Sequence, residues 1–230
     1  LSMRCSVITD LSSGDTVIID GGAESSRLID WINNFSGQGP DWSNGPKNYE
    51  ELSKYGLSNR NVIALVNTHA HFDHSGEIPF LLNEYDVSWY LHKDDFYLQS
   101  LVQLSARRWG FELPEPAIAD ELLHDEMELK LGSFTFKILH TPGHSLGGCC
   151  ILLDVEDDIS HIFVGDTLFA GSVGRTDLPN SGGDFELLAN SIITKLWPLD
   201  PSTIVHPGHG PKTTIGTEKT TNPYVGVSNL

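Results

Sequence analysis

Three histidines and an aspartate, His69, His71, Asp73 and His74, fall within six consecutive positions of the stretch Thr68-His69-Ala70-His71-Phe72-Asp73-His74-Ser75-Gly76. Neutral imidazole and carboxylate are borderline-to-hard ligands that suit zinc, iron or manganese. Four of them on one turn crowd a single ion but can be shared between two, so a pair of metals is the first expectation. The cluster follows the apolar run Val62-Ile63-Ala64-Leu65-Val66, which places it where a buried strand ends and the chain turns. A polar turn with no ligand is the bland alternative, and the His-x-His-x-Asp-His spacing makes it the weaker one.

Three further strand ends carry His or Asp beside glycine: Thr141-Pro142-Gly143-His144, Gly165-Asp166-Thr167 and His206-Pro207-Gly208-His209-Gly210. Pro and Gly hold such turns rigid and let the backbone come close to an ion. A single histidine after a strand is usually a satisfied surface or core residue. Four such stations in one chain point jointly to a metal centre. His92, His124, His140, His161 and His206 lack this setting; His140, alternating with Phe134, Phe136 and Ile138, reads as core or as a group supporting a ligand, and His206 as another support.

The elements that must position these turns can be read from periodicity. Residues 5–9 and 16–20 form a hairpin around Ser12-Ser13-Gly14-Asp15. Leu28, Ile32 and Phe35 mark the inward face of a helix over 26–35. Gly37 to Lys47 is a loop, read as an insertion in preference to a lid, and a short helix over 48–55 ends at Gly56. A helix over 75–85 begins directly after His74, with Pro79 near its first turn, where a missing N–H costs little. Val87–Leu91 is a strand, 94–109 a helix and 111–126 irregular. Then strand follows strand at 127–131, 134–139, 149–154 and 161–164. A helix over 184–196 turns Leu187, Leu188, Ile192 and Leu196 inward, and 203–205 is a last strand. This order predicts two sheets packed face to face with helices outside, each half of the chain giving one sheet.

Size and charge narrow the function. The 230 residues, 39% hydrophobic, can bury one large core, and the chain is read as a single domain over 1–230. The opening Leu1-Ser2-Met3 is set apart from the fold. A formal net charge of -17 repels phosphate backbones, which disfavours nucleic-acid partners and favours a small-molecule substrate. Three cysteines, two of them the adjacent Cys149 and Cys150 in an apolar run, form no disulfide framework and fit a reducing cytoplasm. No uncharged apolar run approaches the roughly 18 residues that a membrane span needs.

The order His-x-His-x-Asp-His, then His144, Asp166 and His209, resembles the metallo-β-lactamase superfamily. The runs Gly165–Pro179 and His206–Lys219 are similar to its glyoxalase II-like, hydroxyacylglutathione hydrolase branch. The resemblance implies an α+β, αββα four-layer sandwich of two mixed sheets, with one metal on His69, His71 and His144, the other on Asp73, His74 and His209, and Asp166 bridging. Zinc is the first expectation for both ions, with iron or manganese compatible. It implies a thioester hydrolase in which two cations generate hydroxide at neutral pH, with Asp73 and Asp166 the carboxylates of the catalytic centre. Lactamases of the family commonly carry Cys at the bridging position and no His after the Asp, so Asp166 and His74 argue against antibiotic hydrolysis. Glutathione thioesterases of the family carry a C-terminal helical domain, whereas 21 residues follow His209 here, so poor recognition of the thiol portion is expected. Arg175, nine residues beyond Asp166 in a Gly-rich loop, is a candidate for binding a substrate carboxylate, with a structural pair to Asp177 the equal alternative. A one-iron persulfide dioxygenase and a lactonase are the rival activities within the superfamily.

Overall fold

In a computed structural model of the chain, the described residues are 2–35, 47–155 and 158–227. The expected 37–47 loop lies outside them except for Lys47. Along the chain come β1 (Ser6–Thr9), β2 (Asp15–Ile19), α1 (Ser25–Asn34), α2 (Tyr49–Ser53), β3 (Asn61–Val66), α3 (Phe72–Ser75) and α4 (Ile78–Tyr85). Then follow β4 (Trp89–His92), a 3-10 turn (Lys93–Asp95), α5 (Phe96–Ser100), α6 (Val102–Arg107) and β5 (Glu121–Leu123). The second half gives β6 (Glu128–Leu131), β7 (Phe134–His140), β8 (Cys149–Leu153), β9 (His161–Gly165), β10 (Leu168–Phe169), β11 (Ser172–Val173), α7 (Phe185–Ser191), β12 (Ile204–Pro207), β13 (Thr213–Thr214) and α8 (Ile215–Thr221).

Two mixed sheets result, ordered β1-β2-β3-β4-β5 and β13-β12-β9-β8-β7-β6, with β10 and β11 paired separately. β1 and β2 are antiparallel and β2 to β5 run parallel, while β12 lies parallel to β9 in an otherwise antiparallel second sheet. The first half of the chain gives the first sheet and the second half the second, as the element order predicts.

Side-chain alternation builds the four layers. Val17, Ile19, Ala64 and Val66 from the first sheet meet Leu129, Phe136, Ile138, Cys149 and Ile151 from the second. The intervening Ile18, Val62 and Leu65 face outward and pack on Trp31, Ile32, Ile78 and Leu81 of α1 and α4. On the far side Leu139, Cys150, Leu152, Ile162 and Val205 pack on Leu188, Ile192 and Ile215. Successive strand residues point to opposite faces, so a sheet covered on both sides reads as a continuous apolar run. The adjacent Cys149 and Cys150 divide between the inner and outer layers, both buried as free thiols. At each strand's end the apolar run gives way to polar residues along one rim, and the candidate site lies there.

Several boundaries differ from the sequence expectation. The helix expected to start after His74 starts inside the cluster, because α3 already holds Asp73 and His74; Glu77, at φ -104° and ψ 9°, then breaks it before Pro79 opens α4. The expected 94–109 helix is interrupted at Leu101, whose ψ of 3° leaves the helical range. β5 lies in the stretch read as irregular and is held by parallel pairing with β4 and by the Asp120 carboxylate, which accepts from the Trp89 N–H at 3.0 Å. Leu187 is exposed, while Leu188, Ile192 and Leu196 turn inward; the Asp184 carboxylate caps α7, and a π-helical turn over Ile192–Leu196 shifts the inward face. Met3 belongs to the fold after all: it bridges to His209, and the next residue, Arg4, donates to the carbonyls of Pro207 and Gly210 at 2.9 and 2.7 Å.

Candidate metal centre

The four strand-end turns meet along the shared rim of the two sheets. His69, His71 and His144 place one ligand-type atom each within 4.8 Å of one another, and so do His69, His74 and Asp166, and Asp73, His74 and His209. All seven positions singled out from the sequence are therefore in one place. Asp166 lies between the groups: Oδ1 is 3.4 Å from His74 Nε2, and Oδ2 is 3.5 Å from His144 Nε2 and 3.6 Å from His209 Nε2. Asp73 Oδ2 is 3.3 Å from His209 Nε2.

Hydrogen bonds behind the rings decide which nitrogens face the centre. His144 Nδ1 lies 2.7 Å from the Arg175 carbonyl oxygen, which can only accept, so that nitrogen carries the proton and Nε2 is bare. His71 Nδ1 stands 2.9 Å from this bare Nε2. The Asp20 carboxylate accepts from His74 Nδ1 at 3.0 Å, from the Thr68 hydroxyl at 2.7 Å and from the Thr68 N–H at 2.8 Å. With its proton committed to Asp20, the Thr68 hydroxyl accepts from His69 Nδ1 at 3.0 Å, so Asp20 orients two rings at once. Nε2 of His69, His71 and His74 and Oδ1 of Asp166 are left buried without a hydrogen-bond partner. Buried polar atoms are nearly always satisfied, and each orphan costs about 1–3 kcal/mol. Four orphans converging on one another are what a cation-binding centre requires, and the donor set fits two divalent ions.

The electrostatics agree. Burial pushes His69 well below the ordinary histidine range, and it pushes His71 down to about 3. Burial also lowers His144. These rings are neutral at pH 7, with lone pairs available. Burial would lower His74 too, but Asp166 and Asp20 outweigh it and raise it well above the usual value. Burial would raise Asp166, yet His74, His144 and His209 hold it below the carboxylate range. His209 is raised, chiefly by its hydrogen bond with Asp73.

Two glycines let the turns approach each other. A Cβ on Gly208 would lie 2.3 Å from Asp166 Oδ1, and one on Gly174 would lie 1.7 Å from the Asp166 carbonyl oxygen. Asp95, fully buried at the end of the 3-10 turn, accepts from the N–H groups of Ala70 and Gly147 and from the Ser145 hydroxyl at 2.9, 2.6 and 3.0 Å. It thereby ties the turn carrying His69 and His71 to the turn carrying His144. Burial pushes its carboxyl up even against these three bonds.

Other expected positions fall elsewhere. The Arg175 side chain pairs with Asp177 through two contacts of 2.9 and 3.0 Å, both partners exposed, and only its backbone carbonyl touches the centre. His206, expected to support a ligand, stacks instead on Phe163 and His161, its Nε2 2.8 Å from His161 Nδ1. His140 stacks on His92 at 4.1 Å; with Asp94 these rings form a further group, but parallel rings aim their lone pairs side by side, and His92 Nδ1 already receives the Asp94 N–H.

The model of the metallo-beta-lactamase superfamily matches residues 4–209. The chain belongs to this superfamily. Hydroxyacylglutathione hydrolase GloC of Haemophilus influenzae is 37% identical over 224 residues, covering 96% of this chain and 92% of that protein. Among solved structures, TTHA1623 in a di-iron-bound form is 35% identical with a TM-score of 0.73, covering 96% of each chain. BLEG-1, described as a B3 metallo-beta-lactamase, is 35% identical with a TM-score of 0.77, covering 97% of this chain and 94% of its own. As a metallo-beta-lactamase superfamily member with this donor set, the chain is a metal-dependent hydrolase. Among the described residues, no helix is long and apolar enough to cross a membrane.

Asp20 and Asp95 are the positions that sequence reading did not single out. Asp20 had a signal: it ends the run Thr-Val-Ile-Ile and precedes Gly21-Gly22, the same strand-end pattern as Gly165-Asp166. Asp95, the second of two adjacent aspartates opening a helical stretch, had none.

Proposed function

We propose that the protein is a thioester hydrolase of the hydroxyacylglutathione hydrolase type, acting on a small-molecule thioester in the cytoplasm with two divalent metals, zinc first among them. The observation that carries the reading is Asp166, whose two carboxylate oxygens reach both histidine groups at 3.4–3.6 Å. In this assignment His69, His71 and His144 hold one ion, Asp73, His74 and His209 the other, and Asp166 is shared. When bound, such a pair supplies a water acidic enough to attack at neutral pH and a Lewis acid for the carbonyl.

The chain's own residues do the rest. Thr68, Asp20 and the Arg175 carbonyl fix the imidazole tautomers. Asp73 and Asp166 stay ionised because neighbouring imidazoles outweigh their burial, which keeps both carboxylates ready to bind cations at neutral pH. The buried thiols are not nucleophiles: burial raises Cys150 to about 11 and raises Cys149 well above its ordinary value. A thioester suits this centre better than an amide because its leaving thiolate needs no proton and is a good metal ligand. The Arg175 guanidinium, exposed on the same loop as the Asp166 turn, is proposed to exchange Asp177 for a substrate carboxylate.

The test is hydrolysis of S-D-lactoylglutathione by zinc-, iron- and manganese-loaded protein. Oxygen uptake with glutathione persulfide, acyl-homoserine lactone opening and nitrocefin cleavage are measured beside it. The nitrocefin arm answers the similarity to BLEG-1. Thioester turnover exceeding the other three supports the reading; oxygen uptake with one iron per chain replaces it with the dioxygenase.

A further inference from the structure

The geometry points to an aromatic rim of Phe72, Phe111 and Phe169 that selects substrates carrying an apolar group beside the scissile bond; this rests on the thioesterase reading. Phe72 stands between His71 and Asp73 in the chain and is half-buried. The Phe111 ring leans on it, centroids 6.1 Å apart, and is itself exposed, as is the neighbouring Trp109. The segment carrying Phe111 is anchored: the Phe111 N–H donates to the Ala106 carbonyl at 3.1 Å, and the Gln103 amide donates to the Leu113 carbonyl at 3.1 Å. Leu113 in turn packs so closely on Gly76 that a Cβ there would lie 2.4 Å from it.

The opening of the centre is fixed by exposure. The His74 side chain is inaccessible and those of Asp73 and Asp166 are 13% exposed, whereas His209 is 30% exposed. Phe169 lies against this open side, its ring centroid 6.3 Å from that of His209. Phe72 adjoins His71 and Asp73 in α3 and packs with Phe111, and Phe169 stands beside His209, so aromatic residues flank the centre on two sides. An exposed ring, Phe111, and two half-buried ones, Phe72 and Phe169, gathered beside a polar centre mark a surface for an apolar group on the ligand. The favoured group is an aryl or short alkyl chain, either on the acyl carbon or on the thiol.

The experiment compares kcat/KM for thioesters of N-acetylcysteamine with acetyl and phenylacetyl groups, and for acetyl thioesters of N-acetylcysteamine and benzyl mercaptan. The first pair varies the acyl side, the second the thiol side. The aromatic member is expected to be favoured at least about tenfold in one pair, mainly through KM. Phe111→Ala should bring that ratio towards one with metal content unchanged, Phe111→Leu should lie between, and Tyr97→Ala on α5 should keep the full ratio. A wild-type ratio near one in both pairs, or a ratio that survives Phe111→Ala, overturns the rim. Calorimetry with S-benzyl- and S-methyl-N-acetylcysteamine separates the two readings. Benzyl thioether binding that depends on Phe111, without turnover of any thioester, sustains the rim and rejects the thioesterase. Turnover without such binding or preference does the reverse.

Discussion

Replacing Asp20 with Asn changes no volume but should disable two ligands that Asp20 never touches as a metal partner. The carboxylate, 3% exposed, accepts from the Thr68 N–H, the Thr68 hydroxyl and His74 Nδ1. An amide keeps one oxygen for the Thr68 N–H and turns its NH2 towards the other two groups. The Thr68 hydroxyl must then accept from the amide and donate to His69 Nδ1, and His74 Nδ1 must also accept. Both Nδ1 atoms then accept, so His69 Nε2 gains a proton that the wild-type arrangement keeps off it, and the proton of His74 is confined to Nε2, where a metal must displace it. Loss of one such supporting partner typically costs ten- to a hundredfold in metal affinity, about 1.4–2.7 kcal/mol. With two rings affected, Asp20→Asn is expected at the upper end of that range. The assay is zinc competition against a chromophoric chelator, with circular dichroism of the metal-free protein confirming the fold. Wild-type zinc affinity in a folded Asp20→Asn protein would refute the tautomer argument.

Three further outcomes follow from the same structure. Asp95→Ala leaves two backbone N–H groups and one hydroxyl unpaired in the interior and should lower unfolding free energy by roughly 3 kcal/mol or more, read from urea denaturation. Metal-free protein should lose stability as pH falls from about 6.5, because His71 and His206 are lowered by burial to about 3 and His92 to about 4, with His69 and His144 also lowered. A depressed folded value gives stability that is complete above the unfolded value and lost on acidification; His74 and His209, raised, act in the opposite sense but are fewer. A urea midpoint unchanged between pH 7.5 and pH 5 would contradict this. Arg175→Ala should raise KM for an anionic thioester while leaving melting temperature and metal content unchanged, since its pair with Asp177 is exposed and its link to His144 is through the backbone. A fall in melting temperature with kinetics intact would assign the guanidinium to the fold.

The metal turns were legible because they state their chemistry locally: a strand, a turn residue, then a ligand-type side chain. His69 to His74, His144, Asp166 and His209 all carry that signature, and the fold brings them together because every one sits at a strand end on the same rim. The two-sheet order was legible from apolar runs such as Val17-Ile18-Ile19, whose alternate residues fill two different layers. What sequence hid were contacts that exist only between distant segments. Asp95 meets Ala70 and Gly147 across the sandwich, and β5 is a strand because β4 lies beside it. Met3, set apart in the sequence, bridges to His209, and Arg4 beside it donates to the Pro207 carbonyl of the same turn. The break before α4 is a local feature, yet periodicity smooths over a single residue such as Glu77.

Asp166 is proposed to join two cations in one hydrolytic centre. The most direct test is metal content by mass spectrometry, measured beside S-D-lactoylglutathione hydrolysis, for wild-type protein and Asp166→Asn purified without added metal. About two metals per active wild-type chain are expected, and in the folded Asp166→Asn variant fewer metals with hydrolysis largely lost. One tightly held iron in fully active wild-type protein, or undiminished metal content and turnover in Asp166→Asn, would contradict it.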